Sequence, residues 1–118
     1  PAAPRPAIAW KVLRADEMHA LERDARFDGS PADLADGFIH LSTADQLEGT
    51  LARHYRDAQD LHLVAVDLGS FGDGLRWEAA RDGALFPHLY EPLLLETVLA
   101  YGPVRRDGEG ALILPAAG

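Results

Sequence analysis

The sequence predicts an α+β domain with a mainly antiparallel sheet and two early helices. Apolar residues recur at helical spacing before residue 56, and two-residue alternation dominates after residue 60. At 118 residues the chain fits one domain with its own core. Residues 1–6 and about 105–118 are expected as peripheral tails of that single domain, 1–118.

Ile8-Ala9-Trp10-Lys11-Val12-Leu13 is apolar and partly β-branched, so it reads as a strand. Alternation sets Lys11 opposite Ile8, Trp10 and Val12. Asp16 then caps a helix to about Ala25, with Met18, Leu21 and Ala25 as its buried stripe. Asp28-Gly29-Ser30-Pro31 ends that helix and opens a loop.

Gly37-Phe38-Ile39-His40-Leu41-Ser42-Thr43 is the most informative stretch. It reads as a buried strand with Ile39 and Leu41 on one face and Phe38, His40 and Ser42 on the other. An imidazole and a hydroxyl would then stand side by side. Thr43 and Gln46 match a Thr-x-x-Gln capping box for a helix from Ala44 to about Tyr55, burying Leu47, Leu51 and Tyr55. A histidine before free helix N–H groups suits a negatively charged ligand.

Leu61 to Leu68 is a strand closed by the turn Gly69 to Gly74. Leu75-Arg76-Trp77-Glu78-Ala79 is another, with Arg76 and Glu78 sharing a face. Leu85-Phe86-Pro87-His88-Leu89-Tyr90 is extended, and its proline assigns it to an edge or irregular strand. Val98 to Tyr101 and Ala111 to Leu114 complete the sheet.

A net charge of −8 argues against broad nucleic-acid binding. Lys11, Arg53, Arg56, Arg76 and Arg81 could still gather into a basic pocket, although simple solvation explains each of them. Without cysteine, disulfides and thiolate chemistry are excluded. The start of the chain shows no signal-peptide pattern and no apolar run suits a membrane span, so a soluble, cytoplasmic protein is expected. His40, His54, His88 and Glu78 show no recognised ligand spacing, so no metal is expected. Nucleophile-elbow, P-loop and dinucleotide fingerprints are missing too, and Ser70-Phe71-Gly72-Asp73-Gly74 reads as a turn.

Asp36-Gly37-Phe38-Ile39-His40-Leu41-Ser42-Thr43, Leu75-Arg76-Trp77-Glu78 and Leu85-Phe86-Pro87-His88-Leu89-Tyr90, in this order, resemble the bacterial domain-of-unknown-function family 952. The likeness runs from about Ile8 through Tyr101, and Trp10-Lys11-Val12-Leu13 fits the family's opening strand. Glu91 before Pro92 departs from the glycine frequent there, at a turn. The resemblance implies a fold similar to ADP-ribosyltransferases, in which a split sheet cradles NAD. It makes His40 and Glu78 the candidate catalytic residues. Lys11, Ser42, Thr43, Arg76, His88 and Tyr90 are the candidate binding residues for NAD or a related nucleotide, with ADP-ribosyl transfer as the implied chemistry.

Each residue also has a simpler reading. His40 suits a hydrogen-bonded structural histidine, Ser42 and Thr43 suit helix capping, and Glu78 suits a salt bridge to Arg76 or Arg81. Tyr90 and Trp77 suit the core. The rival functional class is a non-catalytic module for a small anionic ligand or a peptide, and a third reading is an interaction domain whose polar strand residues are purely structural, its protein partner unknown. If a site exists, His40, Ser42, Glu78 and His88 should line one pocket.

Overall fold

In a computed structural model whose described residues are 5–80 and 82–116, β1 (Ile8–Leu13) alternates between two packed layers. Trp10 and Val12 face one apolar cluster, while Ala9 and Leu13 face the other. Helix α1 (Ala15–Asp24) buries Met18 and Leu21. It starts one residue before Asp16, because the Glu17 carboxylate accepts the Arg14 N–H at 2.9 Å. Ala25 is the left-handed cap at φ 55° rather than part of the stripe, and the chain turns there into β2 (Arg26–Phe27).

The loop expected after Ser30-Pro31 is in fact a short helix, α2 (Pro31–Asp36). Pro31 sits in its first turn, where the missing N–H costs nothing, so it opens a helix instead of breaking one. Ser30 Oγ accepts the Asp33 N–H and Asp33 Oδ2 accepts the Ser30 N–H, closing a reciprocal cap. Gly37, at φ 87°, takes the left-handed position that ends α2.

β3 (Ile39–His40) is only two residues long. A 3₁₀ turn over Ala44–Gln46 precedes α3 (Leu47–His54), so the expected single helix is split and shorter. Leu47 and Leu51 are buried as expected, and Tyr55 is half-buried. β4 (His62–Asp67), β5 (Leu75–Ala79), β6 (Leu85–Leu89), β7 (Leu93–Leu94), β8 (Val98–Pro103), β9 (Arg105–Arg106) and β10 (Leu112–Ile113) follow.

Every described pairing is antiparallel, and the strands fall into two three-stranded sheets, β1-β4-β8 and β3-β6-β5, plus the pairs β2-β7 and β9-β10. Helix α3 covers one face of β1-β4-β8. Helix α1 and the apolar face of β3-β6-β5 pack on the other. Around residues 105–114 the β9-β10 hairpin packs Leu112 against the α3 side, and Arg106 pairs with Glu48 of α3 at 2.8 Å.

β6 is the central strand of its sheet, which corrects the first of the two readings, edge or irregular, that Pro87 suggested. Leu41 N–H donates to the Pro87 carbonyl at 3.1 Å, but Pro87 has no N–H to return. The β3-β6 ladder stops there. The chain crosses to the other sheet, where Ser42 and Trp10 exchange two backbone bonds of 2.8 and 2.7 Å. The proline thus marks the split between the sheets rather than an outer edge.

Candidate functional site

Alternation along β3, β5 and β6 sends Ile39, Leu75, Trp77 and Leu89 to the core. The opposite face gathers Phe38, His40, Arg76, Glu78, His88 and Tyr90. Register sets His88 between His40 on one side and Arg76 on the other. The His40 and His88 ring centroids are 5.7 Å apart, and Phe38 stacks on His88 at 4.0 Å and tilts against His40 at 4.6 Å. The Arg76 guanidinium lies over the Tyr90 ring at 4.5 Å.

Glu78 is the junction of this face. Its Oε1 accepts the Tyr90 hydroxyl at 2.7 Å and His88 Nδ1–H at 2.9 Å. The Tyr90 bond first, then the His88 bond, holds its carboxyl below the ordinary range, and the same contact pushes the Tyr90 hydroxyl up. The expected ion pair with Arg76 is therefore replaced by these two donors, and Arg81 lies outside the described residues. His88 is 13% exposed under Phe38, whereas Glu78 remains 38% exposed. His88 orients; Glu78 is reachable. Tyr90, expected in the core, is also exposed.

Behind His40 lies a group the sequence did not mark. Asp33 of α2, 2% exposed, pairs with Lys11 of β1 at 2.9 Å. Asp33 Oδ1 accepts His40 Nδ1–H at 2.7 Å and the His40 backbone N–H at 3.1 Å. Burial pushes the Asp33 carboxyl up, but the bonds from His40 and Lys11 outweigh it and leave the group well below its usual range. Burial lowers Lys11, against the pull of Asp33. The signal that could have found Asp33 is Ser30-Pro31-Ala32-Asp33, a cap, a first-turn proline and an acidic third position.

Three candidate binding residues turn away from this face. Lys11, expected either in a basic pocket or in solvent, is 3% exposed and spent on Asp33 and the His40 carbonyl. Ser42 leaves with the chain to the other sheet; its hydroxyl is buried and bonded to Thr50 at 2.7 Å. It does not stand beside the imidazole. Thr43 opens the 3₁₀ turn, where the Gln46 side chain accepts its N–H at 3.0 Å, so that donor is not free for an anion. Arg53 and Arg56 lie in the exposed chain at and after the end of α3.

A hollow of about 220 Å³ adjoins the polar face, bordered by Asp33, Gly37, Phe38, Tyr90 and Glu91; of the candidate residues Tyr90 alone lines it, so His40, Ser42, Glu78 and His88 do not share this pocket as expected. It suits a ring-sized group, not a dinucleotide. The larger hollow, about 690 Å³, lies between β8 and residues 113–116 and is lined by none of the candidate site residues. Among the described residues, no group of three or more His, Asp or Glu is placed to hold a metal ion. No helix of the described chain is long and apolar enough to cross a membrane.

A family model described as a protein of unknown function (DUF952) matches residues 12–101. No curated protein matches the chain. The crystal structure of protein CC0527 from Caulobacter crescentus is similar, with 42% identity, a TM-score of 0.80, and coverage of 90% of this chain and 93% of that one. Its solution NMR structure shows 43% identity, a TM-score of 0.76, and coverage of 89% and 90%.

Proposed function

The chain belongs to the DUF952 family of proteins of unknown function, and we propose that its β3-β6-β5 face binds NAD or a related adenine nucleotide. The observation that carries the reading is Glu78, an exposed, ionised carboxylate whose Oε1 is held in place by Tyr90 and His88. A carboxylate held in that form is a poor proton donor. It accepts from ribose hydroxyls and stabilises positive charge that develops beside it.

The neighbouring groups fit the rest of such a ligand. Arg76 supplies a cation for phosphate, and the hollow beside Phe38 and Tyr90 has the size of one ring. Two three-stranded sheets that part at Leu41–Ser42 are in keeping with the split sheet of ADP-ribosyltransferases. A dinucleotide would lie largely across the open face, which favours weak binding. When bound, NAD would supply a glycosidic bond that breaks with cationic character at the ribose, the charge that Glu78 is set to meet.

Calorimetric titrations and thermal melts with NAD, ADP-ribose and AMP test the reading. Binding that Glu78→Gln abolishes supports it. Neither heat nor a melting shift with any of the three at millimolar concentration sinks it. Release of nicotinamide from NAD on prolonged incubation would separate an enzyme from a non-catalytic binding module.

A further inference from the structure

We infer that Asp33 is the positioning residue of this face: it fixes the proton of His40 on Nδ1 and makes Nε2 the atom that meets a ligand. The inference rests on His40 serving the ligand proposed above. One carboxylate oxygen, Asp33 Oδ1, accepts from both the ring Nδ1 at 2.7 Å and the backbone N–H of His40 at 3.1 Å. An ionised carboxylate only accepts, so Nδ1 must donate. Ring and backbone are thus held by the same atom.

Asp33 is itself unable to turn. Lys11 Nζ reaches its two oxygens at 3.1 and 2.9 Å, and the Ser30 N–H donates to Oδ2 at 2.9 Å. Lys11 also donates to the His40 carbonyl at 3.1 Å, so one ammonium braces both partners. Outer groups orient a working imidazole in this way when they select its tautomer. Nε2 then lies on the open side, where its contact is Asp36 Oδ2 at 2.9 Å.

The Asp36 side chain is 55% exposed, so it can swing into water at little cost. Because that carboxylate too only accepts, Nε2, as placed, donates to Asp36, so both ring nitrogens carry protons there; when the outer proton leaves, Nδ1–H stays on Asp33 and Nε2 keeps the lone pair. Nε2 therefore meets an anionic oxygen while it carries a proton and a hydroxyl donor, such as a ribose O–H, once it does not.

Long-range proton–nitrogen NMR of the full chain reads the tautomer with no ligand present. On the alkaline side of its titration, wild-type His40 should show Nδ1 protonated and Nε2 bare. Asp33→Ala should reverse this to the Nε2–H form that free histidine prefers, while Asp36→Ala should leave it unchanged. A neutral wild-type ring protonated at Nε2 overturns the inference, and so does a reversal caused by Asp36→Ala. If Asp33→Ala fails to fold, the wild-type spectrum and Asp36→Ala still decide. Because no nucleotide is used, failure of the nucleotide titrations leaves this result standing, and a wrong tautomer leaves those titrations untouched.

Discussion

Lys11 and Asp33 form a buried ion pair, Nζ to Oδ2 at 2.9 Å, directly behind the imidazole of His40. Burial of two opposite charges brings little net stability over an apolar pair, but removing one partner strands the other. Lys11→Met leaves Asp33 with donors from Ser30 and His40 but without its ammonium partner. We expect a loss of about 3 kcal/mol or more in denaturant unfolding. A loss below about 1 kcal/mol would show that the neutral donors suffice.

Asp33, held low by His40 and then by Lys11, also contributes to the acid side of the stability profile. Asp33 has a folded pKa depressed below its unfolded value, so it binds fewer protons folded than unfolded. Its contribution is complete above the unfolded value of about 4 and is lost as pH falls below that toward the depressed folded value. Urea midpoints should therefore drop as pH falls below about 4. The drop should be shallower in Lys11→Met, where less depression remains. Equal slopes in the two proteins would remove Lys11 from the account.

Tyr90→Phe deletes the shorter of the two bonds on Glu78. The Glu78 carboxyl should titrate closer to the ordinary glutamate range in carbon-13 NMR, with His88 still holding part of the shift. Both side chains are exposed, so the denaturant midpoint should stay close to that of the wild type. An unmoved titration would mean that the tyrosine hydroxyl does not hold the carboxylate ionised.

His40→Ala removes one donor from Asp33 and empties the exposed side of the same ring. Loss of that bond should cost about 1–2 kcal/mol. The variant should also lose any upward melting shift that NAD or ADP-ribose gives the wild type, since a ligand stabilises only what it binds. A lower baseline with an intact shift would make His40 purely structural.

Much of this polar face was legible because strand alternation is a local rule. Arg76 with Glu78, and Phe38 with His40, share faces in the fold as two-residue spacing requires. Partners across the chain were not legible. Nothing in the sequence next to Lys11 announces a carboxylate 22 positions away, and Asp33 sat in a segment whose proline looked like a breaker. Pro87 misled for a related reason. A proline forbids one hydrogen bond, and whether that falls on an outer edge or at a split between sheets depends on strands distant in sequence. Ser42 shows the limit of alternation, which holds only while the chain stays in one sheet.

Ser42 also gives the sharpest separation of fold from site. Its hydroxyl is 2.7 Å from Thr50 Oγ1 at the junction of β1 with the chain leaving β3, and its backbone pairs with Trp10. Ser42→Ala keeps the backbone bonds but leaves the Thr50 hydroxyl without this partner, a change expected to cost about 1–2 kcal/mol. Ser42→Ala with Thr50→Val should recover part of that loss, because an apolar pair replaces an unmatched polar group. Neither variant alters the face that carries His40, Glu78 and Tyr90, so nucleotide-induced melting shifts should match wild type once the baseline is subtracted. A selective loss of those shifts in Ser42→Ala would return Ser42 to the ligand site and contradict the placement of its hydroxyl against α3.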